Sequence, residues 1–291
     1  MNDTRVTALR LYGQKPTGGQ VELLLLKELP SLDGGAGGGC PPAPNLYEAL
    51  ARPGKRLPAG AVVQLEQGLE AVVEQTLEDG RKIIRLKGET LEATLHRIGL
   101  APLPPYVKKP LHDRERYQTV YSKEGGSAAA PTAGLHFTPE LIDELRTKGV
   151  EIAHVTLDVG LDTFRPITAE NPFDHEMHGE RCSVPRETAE KVASCKGRVI
   201  AVGTTATRTL ESFATGKRQL ATGEKMTKIF IQPGYEFQII EGMFTNFHMP
   251  RTTMLLMLSA LVPGATLRRA YDEALANHYR FLSLGDSMLI L

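Results

Sequence analysis

This chain lacks tryptophan, has only three cysteines and carries no net charge. Each of these features argues against particular kinds of site or function. Cys40, Cys182 and Cys195 are too few and too scattered for a disulfide framework or a four-thiolate zinc site, which favours a reducing cytoplasm. Lys plus Arg number 34, as do Asp plus Glu, so any contact with nucleic acid must use a local patch. An aromatic content of 6% argues against a broad base-stacking platform.

Long apolar runs and a secretory leader are also missing. No uninterrupted apolar stretch reaches the roughly 18 residues that a membrane helix needs. The opening Met-Asn-Asp-Thr-Arg has no charged n-region followed by an apolar h-region. Because the hydrophobic content of 41% is ample for a buried core, we expect a globular protein that is neither secreted nor membrane-spanning.

Residues 1–100 show the pattern of an all-β domain, in which short β-like runs are separated by turn residues. The Asp79-Gly80 pair is typical of a hairpin turn. We therefore predict a small β-barrel or sandwich, with the barrel preferred. The Gly/Pro-rich insert 33–44 lacks the strand-then-helix context of a phosphate loop and is expected to be a flexible excursion. The predicted strands are 6–12, 21–26, 61–65, 70–76 and 82–86.

Residues 101–291 alternate strand and helix patterns, which predicts an α/β domain with a largely parallel sheet, open or closed into a barrel. We place the boundary in the proline-rich segment 100–118. Ligands of such sheets lie at the carboxyl ends of the strands. The predicted helices are 139–148, 186–194, 206–213, 252–261 and 267–279, and the predicted strands are 151–159, 199–202 and 228–231.

The segment Gly126–Thr138 is unusually rich in small residues and contains His136 as its titratable group. Glycines and alanines let the backbone approach a ligand, so one interpretation is a ligand-binding loop. The other is a tight turn before a helix that begins near Pro139, with Thr138 as its N-cap.

Two later segments also combine polar residues with the start of a helix. Thr204 and Thr205 follow a buried strand, where helix N–H groups and hydroxyls form an anion site, or where one threonine simply caps the helix. Asn246 and His248 precede the helix of 252–261 in the same way. Arg208 and a glutamate three residues later are by default an ordinary surface pair.

A cluster of histidines and glutamates lies in 173–185. His-x-x-His spacing is compatible with zinc, but no third ligand stands at a characteristic distance and Gly179 breaks the pattern, so no metal is predicted. These groups are more credible in acid/base chemistry, since a carboxylate can tune a nearby imidazole. The cluster consists of His175, Glu176, His178 and Glu180.

Several ordered blocks together resemble the S-adenosylmethionine:tRNA ribosyltransferase-isomerases of queuosine biosynthesis. They read RYQTVYSKEGGSAAAPTAGLHFT (116–138), VGTTATRTLES (202–212), FIQPGYEF (230–237), TNFHMPRTTMLLMLSA (245–260) and HYRFLSLGDSMLI (278–290). The resemblance implies an imperfect α/β barrel plus a smaller β-barrel domain.

The implied reaction moves the ribosyl unit of S-adenosylmethionine onto the 7-aminomethyl-7-deazaguanine base of tRNA and isomerises it, giving epoxyqueuosine, adenine and methionine. No metal and no cofactor beyond this co-substrate is implied. We expect a cytoplasmic monomer. The residues expected to handle protons are His136, His178, Glu180 and His248. Those expected to bind the co-substrate are Gly134, Thr204, Thr205, Arg208 and Asn246.

The best local basic patch for tRNA lies in the proline-rich segment. Lysine and arginine position phosphates and tyrosine can stack on an unpaired base, although Asp113 and Glu115 dilute the charge and leave a solvated linker as the alternative. The expected RNA-binding residues are Lys108, Lys109, Arg114, Arg116 and Tyr117.

The sequence departs from the family pattern in two respects. Relatives carry further residues before the block that begins at Asn2, which suggests a missing N-terminal segment. Aspartates 158 and 162 stand where the family pattern has histidine and glycine, so Asp158 is either a base or a support for neighbouring groups. A non-catalytic relative that binds tRNA or S-adenosylmethionine is therefore the alternative, and a hydrolase of small anionic substrates is a third hypothesis.

Overall fold

The computed structural model describes residues 1–29, 45–104, 106–107, 109, 111, 113–160, 167 and 169–291. The chain forms two compact units, one of Met1–Val6 with Glu115–Leu291 and one of Thr7–Arg114. The boundary between Arg114 and Glu115 lies within the segment 100–118, where the sequence places it, but residues 1–6 belong to the larger unit and not, as predicted, to the smaller one. Residues 1–6 join the larger unit because strand β1 (Thr4–Val6) pairs in parallel with β8 (Glu124–Ser127).

The smaller unit is a closed antiparallel barrel with strand order β2-β3-β4-β7-β6-β5. Its interior is filled by alternate apolar side chains of these strands, such as Leu11, Leu23 and Ile84. Sequence patterns missed β4 and helix α1, and the insert 33–44 lies outside the described residues. The elements are β2 (Leu9–Gln14), β3 (Gln20–Leu29), β4 (Leu46–Arg52), β5 (Val62–Leu65), β6 (Glu70–Thr76), β7 (Lys82–Lys87) and α1 (Leu91–Ile98).

Two glycines explain local features of this barrel. Gly80 has φ +86° in the turn between β6 and β7, where the Arg81 N–H donates to Asp79 Oδ1, so the predicted Asp-Gly turn is confirmed. Gly13 lies where β2 meets β5, and a Cβ at this position would come within 2.5 Å of the Gln64 carbonyl oxygen. A larger residue would therefore obstruct closure of the barrel.

The larger unit contains helices α2–α6 and, besides β1 and β8, strands β9–β16. In the described part, parallel pairing joins β1 to β8 and β11 to β15, while β14-β10-β9, β12-β13 and β15-β16 are antiparallel. An imperfect parallel barrel stays a prediction. The helices are α2 (Pro139–Thr147), α3 (Arg186–Ser194), α4 (Thr204–Ser212), α5 (Thr253–Leu261) and α6 (Gly264–Ala276). The strands are β9 (Thr156–Leu157), β10 (Glu180–Val184), β11 (Ile200–Val202), β12 (Ala214–Gly216), β13 (Gln219–Leu220), β14 (Gly223–Thr227), β15 (Gly242–Asn246) and β16 (Ser287–Ile290).

The predicted helices agree with α2–α6 to within a few residues at their ends. Thr138 caps α2 by accepting a hydrogen bond from the Leu141 N–H at 3.2 Å, so the predicted cap is confirmed. The predicted strand 228–231 is wrong, because this segment leaves β14 as irregular backbone that buries Ile231. Among the described residues, none of the helices is both long and apolar enough to cross a bilayer.

Helix α4 is the central element of the larger unit, since its residues from 204 to 211 are all buried. Most of them are polar, which requires internal partners. The Thr207 and Thr209 hydroxyls donate to the carbonyl oxygens one turn earlier, at 3.2 and 2.9 Å. Thr207 and Thr209 are thus satisfied within the helix, whereas its charged residues Arg208 and Glu211 have partners outside it.

Candidate active site

A cleft of about 380 Å³, counting the part open to solvent, lies at the N-terminal ends of α4 and α5. Its lining combines polar and apolar residues. The polar residues are His178, Thr204, Thr205, Arg208 and Thr253, and the apolar residues are Met177, Ile229, Phe230, Ile231, Met254 and Met257.

Arg208 is the most informative of these residues, because its charged side chain is only 6% exposed. Its Nη1 forms an ion pair with Glu180 Oε2, and the Glu180 side chain is itself 1% exposed. Within the described part of the chain, Arg208 Nε and Nη2 have no hydrogen-bond partner. Unpaired donors of a buried cation are costly, so this arrangement favours an anionic ligand. The prediction of a surface pair between Arg208 and Glu211 is wrong.

His178 lies beside this ion pair. Its Nε2 is 3.3 Å from Glu180 Oε1 but makes no hydrogen bond with a described residue. The same Oε1 accepts a hydrogen bond from the Gly160 N–H at 3.1 Å. Because it lines the cleft beside a carboxylate, His178 is a candidate acid/base residue.

The first turn of α4 supplies the third part of the cleft. No described side chain caps this helix, because its N-cap is Gly203 with φ +87°. Its N–H groups therefore point toward the cleft with the positive end of the helix dipole. Thr205 Oγ1 is held by the Asn2 side-chain amide at 3.1 Å, and the same amide donates to the Leu157 carbonyl oxygen at 3.0 Å. Asn2 is 0% exposed, and its two hydrogen bonds connect the start of α4 to β9.

A base, a buried guanidinium and a free helix N-terminus around one cleft are suited to a substrate that carries both an anionic group and an acidic C–H bond. The family model described as queuosine biosynthesis protein matches residues 1–290.

The chain belongs to the queuosine biosynthesis protein family.

Individual relatives agree with this assignment. The chain is 44% identical over 297 residues to the S-adenosylmethionine:tRNA ribosyltransferase-isomerase of Desulforamulus reducens, and 45% identical over 298 residues to that of Pelotomaculum thermopropionicum. Each match covers 100% of this chain and 83% of the relative. A crystal structure of S-adenosylmethionine tRNA ribosyltransferase from Thermotoga maritima is 31% identical, with 100% of this chain and 80% of that chain covered and a TM-score of 0.46.

In this family member, two of the predicted site histidines lie outside the lining of the described cleft. His136 Nε2 is 2.9 Å from Asn246 Nδ2. The same Nδ2 donates to the Leu282 carbonyl oxygen at 3.2 Å, while Asn246 Oδ1 accepts from Thr132. Because a carbonyl oxygen only accepts, the amide must point its NH2 group at His136, and His136 Nε2 must be the unprotonated nitrogen. Burial lowers the pKa of His136, and this effect outweighs the opposing effect of Asp286. The lowered pKa also favours the neutral ring.

His248 is the second of these histidines. Its Nε2 lies 2.9 Å from Thr245 Oγ1, and its backbone N–H donates to the Tyr271 hydroxyl. Burial lowers its pKa to about 4. A neutral, hydrogen-bonded imidazole of this kind supports the junction between β15 and α5 more than it exchanges protons at neutral pH.

The small residues of Gly126–Thr138 are explained by packing. A Cβ on Gly134 would come within 2.0 Å of the Tyr121 hydroxyl, and the Ala133 methyl group lies 3.4 Å from where a Cβ on Gly203 would stand. No residue of this segment is among the described residues that line the cleft. The predicted contact of Gly134 with the co-substrate stays a prediction, and Ala133 packs beside Gly203 at the start of α4.

Asp158 accepts hydrogen bonds from Arg181 Nε at 2.8 Å and from the Thr4 hydroxyl at 3.1 Å. Of the two interpretations of this residue, support of neighbouring groups fits these contacts. Asp162, the second departure from the family pattern, lies outside the described residues. The rings of His175 and Phe230 pack edge-on, with their centroids 6.1 Å apart. No group of three described His, Cys, Asp or Glu residues is placed to hold a metal ion.

The residues of the predicted RNA-binding patch differ in their exposure to solvent. Tyr117 is 1% exposed, so its predicted stacking on an RNA base is wrong: the ring is part of the protein interior. Lys109 and Arg116 are exposed, while Arg114 donates to the His96 carbonyl oxygen. Lys108 lies outside the described residues.

Sequence patterns missed the apolar lining of the cleft and Asn2. Phe230, Ile231 and the methionines of α5 occur within motifs that carried the family resemblance, but a Met or Ile in such a run is more often core than ligand contact. A signal was present at the start of α5, where Thr253 and Met254 follow the cap residue Thr252.

Proposed function

We propose that this chain transfers the ribosyl unit of S-adenosylmethionine to 7-aminomethyl-7-deazaguanine in tRNA and isomerises it to epoxyqueuosine, with release of adenine and methionine. Membership of the queuosine biosynthesis family over residues 1–290 and the names of the relatives support this activity. The geometric observation that carries it is the cleft in which buried Arg208 presents two unpaired donors next to His178.

The reaction requires removal of a proton beside the sulfonium. His178 is the histidine best placed for this step, since its Nε2 has no described hydrogen-bond partner and His178 lines the cleft. Glu180 is a positioning residue in this proposal: it pairs with Arg208 and faces the imidazole that gains the proton. The developing positive charge on His178 is stabilised by that carboxylate.

Contact with the tRNA backbone is proposed for the exposed cations Lys109 and Arg116. Such contacts bind phosphate without reading sequence, so they fix the position of the RNA and weaken as salt rises. Replacing Arg116 with glutamine is expected to raise the KM for tRNA severalfold and to leave the KM for S-adenosylmethionine unchanged.

The test is adenine release from S-adenosylmethionine in the presence of tRNA that carries the precursor base. The wild-type protein should release adenine, and His178→Ala should lower kcat by about 10²–10⁴-fold, the range typical of a lost acid/base group. His96→Ala, which alters an exposed histidine of the smaller unit, is the matched control and should be active. Binding of S-adenosylmethionine without adenine release by the folded protein would instead favour a non-catalytic relative.

A further inference from the structure

The unpaired nitrogens of Arg208 lie on one edge of its guanidinium. Nη1 is taken by Glu180, whereas Nε and Nη2, which point in the same direction from the planar group, have no partner among the described residues. This edge offers two parallel N–H donors at the spacing of the two oxygens of a carboxylate. The ligand group expected at this position is therefore planar and has two oxygens.

The cleft lining also includes six apolar residues, three of which are methionines. Met177 is 9% exposed, Met257 is 3% exposed and Ile231 is 2% exposed, while Met254 and Phe230 are half-buried. Methionine side chains adapt to unbranched, sulfur-containing chains through soft dispersion contacts. An unbranched aliphatic chain of a few atoms that ends in sulfur fits these apolar residues better than a sugar or a phosphate does.

Charge selects between the candidate anions. Glu180 already balances Arg208, and the first turn of α4 contributes only a partial positive charge. A phosphate dianion would leave the cleft with excess negative charge in a poorly solvated place. An amino acid brings its own ammonium group, so its carboxylate can occupy the free guanidinium edge without this cost.

We infer that the cleft binds the α-amino-acid end of S-adenosylmethionine, with the carboxylate on the Nε–Nη2 edge of Arg208 and the methylene–sulfur chain against Met177, Met254 and Met257. This inference rests on the proposed function for the identity of the co-substrate. It also makes free L-methionine, which the reaction releases, a ligand of the same cleft. Thr204 and the uncapped N–H groups of α4 complete the carboxylate site.

Calorimetric titration with L-methionine tests the site without turnover. The wild-type protein should bind L-methionine, and 3-(methylthio)propylamine, which lacks the carboxylate, should bind at least about tenfold more weakly. Arg208→Lys keeps a cation opposite Glu180 but removes the two-donor edge, so it should weaken L-methionine binding about tenfold or more. Thr204→Val, a substitution of nearly the same size, should weaken it severalfold. Arg186→Lys alters an exposed arginine paired with Glu190 and is the matched control.

Three results would overturn the inference: no heat from L-methionine up to tens of millimolar, equal binding of the decarboxylated amine, or unchanged binding by Arg208→Lys. Competition by inorganic phosphate at equal concentration would assign the site to an RNA phosphate instead. Failure of the proposed function gives a different pattern, since adenine release would then be absent whatever the L-methionine titration shows. In the enzyme assay, Arg208→Lys should raise the KM for S-adenosylmethionine more than it lowers kcat.

Discussion

Replacing Glu211 with glutamine tests whether one buried carboxylate holds the segment that follows the apolar wall of the cleft. Glu211 is 4% exposed and lies one helical turn beyond Arg208 on α4. Its Oε1 accepts from the backbone N–H groups of Ile239 and Ile240, both at 3.0 Å. Its Oε2 accepts from the Gln238 N–H at 2.9 Å and the Tyr235 hydroxyl at 3.1 Å. Four donors thus converge on two oxygens.

The size of the stability loss depends on how many of these four donors a glutamine can still pair. Its oxygen can keep the two buried N–H groups of Ile239 and Ile240, and its NH2 group can donate to the Tyr235 hydroxyl after that hydroxyl rotates. The Gln238 N–H then loses its acceptor, and the remaining bonds lose the charge that strengthened them. We expect Glu211→Gln to cost about 2 kcal/mol of unfolding free energy. Glu211→Ala leaves three backbone donors unpaired and should cost about 3 to 6 kcal/mol.

Urea unfolding followed by circular dichroism measures both costs. Glu190→Gln is the control, because Glu190 has 64% of its side chain exposed and forms a surface pair within α3. Such pairs contribute little, so the control should stay within about 0.5 kcal/mol of the wild type. Equal stability of Glu211→Gln, Glu211→Ala and the control would refute the reasoning that this carboxylate anchors residues 235–240.

Three further predictions concern other parts of the chain. The ¹⁵N NMR shifts of His136 should show a protonated Nδ1 in the wild type and a protonated Nε2 in Asn246→Asp, whose carboxylate only accepts; a protonated Nε2 in the wild type would contradict the hydrogen-bond assignment. Burial lowers the pKa of His248 from 6.5 to about 4, so its contribution to stability is complete above pH 6.5 and is lost as the pH falls toward 4. Urea unfolding should show a loss of up to about 3 kcal/mol in the wild type and a smaller loss in His248→Gln. The same pH dependence of stability in both proteins would contradict the assignment to His248. Gly13→Ala should destabilise the smaller unit by about 1–3 kcal/mol, because its Cβ would meet the Gln64 carbonyl oxygen; full stability would show that the β2–β5 contact can relax.

Features that depend on neighbours in sequence could be predicted. Thr138 caps α2 because its side chain reaches an N–H three residues later, and Asp79-Gly80 turns because Gly80 adopts a positive φ. The five helices of the larger unit were found for the same reason, since their apolar periodicity is local.

Features that depend on distant partners could not. Arg208 and Glu211 lie three residues apart, which locally suggests a pair, but Arg208 binds Glu180, 28 residues away in sequence. Burial of α4 on all sides cannot be inferred from its threonine-rich sequence. The sequence places residues 1–6 in the smaller unit, but β1 pairs with β8 in the larger one. Since residues 7–114 separate these strands in sequence, no local pattern indicates the pairing.

Small residues mark close packing in this chain as readily as ligand contact. The glycines and alanines of Gly126–Thr138 predicted a backbone near a ligand, yet Gly134 is required by Tyr121, and Ala133 packs beside Gly203. Of the predicted site residues, the structure brings together five at one end of α4, namely His178, Glu180, Thr204, Thr205 and Arg208. It also brings His136 and Asn246 into contact, and the roles of all seven stay predictions.

The most direct measurement of the central claim is the mass of the modified nucleoside. Precursor tRNA is incubated with the protein and S-adenosylmethionine, digested to nucleosides and analysed by mass spectrometry, with adenine quantified in the same reaction. We expect epoxyqueuosine in proportion to the adenine released, and its loss in His178→Ala. An unmodified precursor base, or a precursor base that has gained only a methyl group, would contradict it.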